Sequence, residues 1–192
     1  MLSVQLKNML FISALCMAPA TASAQSTNPA TDMKPETATR PHENELSGSD
    51  ESFLNNAAQA GLAEIAGAKL AQKKATSDQV KDFAAKMIAD HTKVNDELKA
   101  LATNKGVTVS TEPSMAQKAE LQALEILDDT FDKNYVDRLA VAAHESTIAL
   151  FRKTAEKGED VDVKSFAKAK LPSLEAHLNI ARSLQTATNT DK

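Results

Sequence analysis

The longest regular pattern of apolar and polar positions lies between Thr76 and Gly106, where Val80, Ala84, Met87, His91, Val94, Leu98 and Leu101 recur at steps of four and three. That spacing holds one apolar stripe on a single helical face for about six turns. Thr76 with Gln79 has the form of a capping box, and Gly106 offers the left-handed residue that ends a helix, so the pattern predicts a long core helix between them. A helix precedes it, running from a cap at Ser49 or Asp50 to about Lys74. Only Ala75 and Thr76 separate the two, which predicts an antiparallel hairpin. The inner stripe of this first helix, Phe53, Ala57, Ala60, Glu64, Gly67 and Ala71, is small except for its aromatic end and one carboxylate. A competing buried face, centred on Leu54, Leu62, Ile65 and Leu70, would leave Glu64 at a solvated flank.

After Gly106 the pattern breaks. Val107 to Pro113 reads as extended, and Met115, Leu121, Leu124 and Leu127 predict a short helix within Ser114 to Leu127. A third long helix starts at Asp128 or Asp129 and ends at Gly158, with Val141, His144, Ile148 and Phe151 on one face. Beyond a turn over Gly158 to Asp160, the fourth runs from about Val161 to Leu184 and repeats the same spacing in Leu174, His177, Ala181 and Leu184. Pro172 should kink that helix or restart it. A connection over residues 107–128 is long for adjacent antiparallel helices and suits a crossover that travels back along the bundle. The expected fold class is all-α: a ferritin-like four-helix bundle of two antiparallel hairpins joined by a long crossover containing a short helix, over residues 50–187.

The chain ends change the picture of where the protein works. Residues 1–24 have the form of a signal peptide: Lys7 is the basic region, Met9 to Ala18 the apolar core, and Ala22-Ser23-Ala24 a small-x-small cleavage site. The expected localisation is export, periplasmic or secreted, and no later stretch approaches the ~20 apolar residues of a transmembrane helix. Residues 25–49 are rich in Thr, Pro, Asn and Ser and read as a disordered linker containing a solvated His42; residues 188–192 read as a disordered tail. Cys16 is the sole cysteine and leaves with the signal, so no disulfide or thiolate chemistry is expected; Leu15 directly before it disfavours a lipoprotein site. Loss of Lys7 takes the net charge from -4 to -5. With one tyrosine and no tryptophan, that charge argues against nucleic acid as a partner.

Four segments, FLNNAAQAGLAEI, VKDFAAKMIADHTKVNDELKALATNKGV, FDKNYVDRLAVAAHESTIALF and SFAKAKLPSLEAHLNIAR, resemble an exported bacterial family built on a domain of unknown function. Its members often carry an outer-membrane-protein label. The resemblance covers about residues 51–187 and is most specific at Asp90-His91, at Phe131-Asp132 through Tyr135, at His144-Glu145, and at Leu171-Pro172 followed by His177. It implies export and a ferritin-like fold, and brings no known activity.

The candidate chemistry rests on the polar members of the apolar stripes. His91, His144 and His177 fall on buried faces of three helices, and the first helix offers Glu64. Three neutral imidazoles and one carboxylate could complete the shell of one transition-metal ion, Zn, Cu, Fe or Mn. The alternative is a structural polar layer, each histidine bonded to Asp90, Glu145, Glu175 or a backbone carbonyl, in a metal-free interaction or stress-protective module. Enzyme chemistry is not expected. A di-iron centre needs two Glu-x-x-His pairs, but Ile88 and Val141 stand three residues before His91 and His144, and Glu175 is two before His177. No nucleophile motif is present either.

Overall fold

The computed structural model describes residues 46–190. The elements are α1 (Gly48–Lys74), α2 (Asp78–Asn104), α3 (Met115–Glu125), α4 (Phe131–Tyr135), α5 (Ala143–Lys157) and α6 (Val161–Thr190), with a π-helical segment, Val136–Ala142, joining α4 to α5. Helices α1 and α2 form one hairpin and α5 and α6 the other; α1 packs on α5 and α2 on α6. The crossover carries α3 along α1, so the third long helix starts at the end where α1 stops. Ion pairs mark both ends of the bundle: Lys74 to Asp128 at 3.1 Å where α1 ends, and Lys105 to Asp160 at 2.8 Å where α2 ends. This is the expected all-α bundle of two hairpins joined by a long crossover.

The core follows the stripes. Val80, Ala84, Met87 and Leu98 of α2 are buried, as are Val141, Ile148 and Phe151 in the third long helix and Leu174, Ala181 and Leu184 in α6. In α1 the small stripe faces inward: Phe53, Ala57, Glu64, Gly67 and Ala71 are buried and Ala60 half-buried, whereas of the competing face only Leu54 is buried and Leu62, Ile65 and Leu70 are half-buried, which removes the reading with Glu64 at a solvated flank. Phe53 meets Phe151 edge-on at 5.0 Å between ring centroids.

Helix ends differ from expectation in instructive ways. Helix α2 begins after Ser77, which makes no side-chain cap, so the Thr76–Gln79 box does not form. Its place is taken from another element: Asp132 accepts hydrogen bonds from the backbone N–H of Thr76 (3.1 Å) and Ser77 (2.8 Å) and from the Thr76 hydroxyl (2.8 Å). A carboxylate there also meets the positive end of the helix dipole. Gly106 does end α2, at φ 72°, and closes a Schellman motif in which Val107 N–H reaches the Ala102 carbonyl at 2.8 Å. Helix α1 is capped by Ser47, and α3 by a capping box between Ser114 and Gln117. Asp50, expected as a cap, is instead buried and accepts from the N–H of Glu159 and Asp160, fixing the turn between α5 and α6.

The third long helix is not α-helical throughout. The π-helical segment adds a residue to one turn just before His144, and Leu139 within it lies over Gly67 of α1, where a Cβ would come within 2.2 Å of its Cδ1. Helix α6 runs unbroken past the expected end at Leu184 to Thr190. Pro172 does not restart it. Its ring and the Lys168 carbonyl that it deprives of a donor are both on the exposed face, where water can serve that carbonyl. The expected signal peptide and most of the expected linker, His42 included, lie outside the described residues.

Candidate metal centre

Halfway along the bundle the stripes of α1, α2, α5 and α6 each place one ionisable residue inward. Glu64, His91, His144 and His177 are all buried, between 1% and 5% exposed. The imidazoles form a triangle: ring centroids are 5.4 Å apart for His91 and His144, 5.3 Å for His91 and His177, and 5.6 Å for His144 and His177. One nitrogen from each ring can be chosen so that all three lie within 4.8 Å of one another. Glu64 stands beside the triangle. Its Oε2 is 2.8 Å from His91 Nδ1 and its Oε1 is 4.0 Å from His144 Nδ1. Thr147, one turn after His144, donates its hydroxyl to Glu64 Oε1 at 3.3 Å.

The outer side of the triangle is held by a second carboxylate. Asp90 Oδ2 lies 2.8 Å from His177 Nε2, and the same oxygen pairs with Lys86 at 2.8 Å. Glu145 and Glu175, the other carboxylates considered as histidine partners, pair with Arg182 and Arg152 instead. The contacts leave His91 Nε2, His177 Nδ1 and both nitrogens of His144 without a hydrogen-bond partner within the protein, and Glu64 Oε2, although 2.8 Å from His91 Nδ1, meets it as an ionic contact outside hydrogen-bond geometry. A carboxylate on one imidazole nitrogen fixes the ring and directs the other, the arrangement found behind metal-bound histidines. Thr147 was missed in the sequence although its position three residues after His144 on the buried face was visible.

Protonation follows from these neighbours. Burial alone would raise the Glu64 pKa, but the His91 and His144 rings and the bonds from His91 and Thr147 outweigh it and hold the carboxyl down at about 2. For His91, burial opposes the charge and the Glu64 carboxylate, with Asp90 adding to it, more than compensates, so its pKa is raised. His177 goes the other way: burial, helped by the neighbouring His91 and His144 rings, overcomes the bond to Asp90 and brings it to about 4. Burial and the Glu64 charge push the Tyr135 phenol well above its usual range. Near neutral pH the cluster thus offers one carboxylate anion and, at His177, a neutral ring able to bind a metal.

Solved structures resemble the whole bundle at low sequence identity, which supports the fold alone. A DUF305 fragment from Deinococcus radiodurans matches with a TM-score of 0.64 at 14% identity, covering 76% of this chain and 99% of its own. A DUF305 protein from Streptomyces coelicolor, named as a candidate secreted protein, matches at 0.63 and 13%, covering 73% and 92%. CopM in its Cu(I)-bound form matches at 0.61 and 17%, covering 72% and 96%. No curated protein matches the chain. Over residues 35–184 the chain matches the family described as domain of unknown function (DUF4142), and it belongs to that family.

Proposed function

We propose that this is an exported protein that holds one transition-metal ion in its core, bound by His91 Nε2, His177 Nδ1 and one nitrogen of His144. The observation that carries the reading is the triangle of buried imidazoles, each of which offers a nitrogen within 4.8 Å of one from each of the others and each of which keeps at least one nitrogen without a partner in the protein. A buried polar atom without a partner costs about 1 to 3 kcal/mol, and a shared cation would take up one such nitrogen from each ring at once. In this reading Glu64 acts on His91 and Asp90 on His177 as orienting carboxylates, and Glu64 balances the ion's charge from just outside the shell. That assignment departs from the four-ligand shell expected from the sequence, because Glu64 Oε2 lies 2.8 Å from His91 Nδ1, where it serves as the counter-charge of that ring.

The donor set of three imidazoles without thiolate suits Zn or Cu, with Fe and Mn lower in preference. The Cu(I)-bound state of the CopM neighbour makes copper a natural ion to test. A structural polar layer would need its nitrogens satisfied by the protein, and here most are not. Export is supported by the form of residues 1–24 and by the S. coelicolor neighbour; among the described residues no helix is long and apolar enough to cross a membrane. The test is elemental analysis of untagged protein isolated from the exported fraction, followed by calorimetric titration with Zn(II), Cu(I), Fe(II) and Mn(II). One equivalent bound with a Kd far below millimolar supports the reading. No ion binding tighter than about millimolar, roughly -4 kcal/mol, overturns it in favour of a metal-free module.

A further inference from the structure

A cavity of about 500 Å³ lies between α1, the crossover helix α3 and α5, and Glu64 and Thr147 are part of its wall. Its wall also carries the polar side chains of Asn56, Gln59, Gln117 and Ser146. Near the crossover, Arg138 holds Glu120 with Nε to Oε1 at 2.6 Å and Nη2 to Oε2 at 2.7 Å. With Glu64 and Glu120 against Arg138, the lining carries one surplus negative charge, which favours a cation. Two other grooves lack this connection. The one between α5 and α6 is lined by the Arg152–Glu175 and Arg182–Glu145 pairs, and the one between α2 and α6 by Phe83, Ile180 and Leu184; neither includes Glu64 or a residue of the triangle.

We infer that the α1–α3–α5 cavity is an outer binding position for a hydrated transition-metal cation, from which the ion is loaded past Glu64 to the imidazoles. This rests on the metal reading of the triangle and adds the path by which the ion arrives. The amide and hydroxyl oxygens of the wall replace part of the hydration shell, and Glu64 is the carboxylate that both lines the cavity and lies against the rings. From there Oε1 faces His144 Nδ1 at 4.0 Å, a nitrogen that has no partner in the protein.

The test is stopped-flow association of Zn(II), and of Cu(I) under anaerobic conditions, with the full exported chain. Ser146 is exposed and lines the cavity, so Ser146→Phe obstructs it without entering the core; Ala149→Phe, equally exposed one turn away, obstructs the α5–α6 groove as a control. Ser146→Phe should slow association by about tenfold, within the range over which rates vary among mutants of one site. It should slow dissociation equally, so that affinity is unchanged, while Ala149→Phe loads at the wild-type rate. Glu64→Gln should slow association with the cavity open. Wild-type loading of Ser146→Phe or of Glu64→Gln, or equal slowing by Ala149→Phe, overturns the path while leaving the metal site standing. Absence of equilibrium binding of Zn(II), Cu(I), Fe(II) and Mn(II) alike by the wild type overturns the metal site itself, and the path with it. Should Ser146→Phe misfold by circular dichroism, Asn56→Phe on the α1 wall provides the same reading.

Discussion

Glu64, His91 and His177 of the buried layer each meet a partner on a different helix, and those contacts set how the metal-free protein responds to acid. Glu64, held at about 2 against an ordinary 4.5, contributes stability that is complete above pH 4.5 and lost as pH falls toward 2. His177, brought from 6.5 to about 4, stays neutral in the folded state while the unfolded chain takes up a proton, so its contribution is complete above pH 6.5 and lost between 6.5 and 4. His91 has the opposite sign: its raised pKa gives stability that is present below pH 6.5 and lost as pH rises through the folded value. The net slope in that window is therefore a difference of two effects, and a variant isolates one of them. In the presence of chelator, His177→Leu should gain stability relative to wild type as pH drops from 7 to 5, measured by urea midpoints. A constant difference between the two proteins across that range would contradict the assignment. The positions of the histidines were legible from spacing, because a helical stripe fixes which side chains point inward. Their bonding was not: Asp90 neighbours His91 in sequence, yet it bonds His177 on another helix, and only the packing of α2 against α6 creates that pair.

At the scale of elements, the chain's own patterns located the helices but not what joins them. The Thr76–Gln79 box was a sound local signal that lost to Asp132, whose carboxylate arrives from α4 more than fifty residues later in the chain. Asp132→Ala should destabilise the protein by about 1 to 2 kcal/mol, the scale of a lost helix cap, with an unchanged helical spectrum at low temperature. A cost below a few tenths would mean that Thr76 and Ser77 recap the helix themselves. The π-helical turn was invisible to periodicity, because Val141, still inside it, and His144, just past it, keep an ordinary helical step. Its packing makes a paired prediction. Gly67→Ala places a Cβ 2.2 Å from Leu139 Cδ1, and Leu139 is buried and cannot withdraw freely. The cost should be about 1 to 3 kcal/mol from overpacking, partly offset by the better helix propensity of alanine. Gly61→Ala meets the end of the half-buried Asn95 side chain, whose outward swing gives up just the long 3.4 Å bond from its amide to the Ala58 carbonyl, and should stay within about 1 kcal/mol of wild type. Chemical denaturation of both variants decides it; equal costs would locate the strain elsewhere.

For the whole molecule, the ring triangle draws on α2, α5 and α6, and Glu64 on α1, so an ion in it would tie both hairpins together. Binding to the folded state alone stabilises by about 2.7 kcal/mol at a ligand concentration one hundred times Kd, which should appear as a rise in Tm on adding metal. His144 separates this from a purely structural layer. It has no hydrogen-bond partner within the protein at either nitrogen, and its nearest carboxylate oxygen is 4.0 Å away, beyond hydrogen-bond reach. In metal-free buffer His144→Leu therefore removes two unpartnered buried polar atoms and replaces them with an apolar side chain of comparable size, so stability should hold or increase. A structural layer that depended on His144 would instead lose about 1 kcal/mol or more. With saturating Zn(II) or Cu(I) the wild type should rise in Tm and the variant should stay where it was without metal, since two imidazoles cannot hold the ion as three do. Thermal scans of both proteins, with chelator and with metal, give four melting temperatures. The metal reading requires that only one of them, wild type with metal, stand above the rest by more than the small shift that the leucine itself brings.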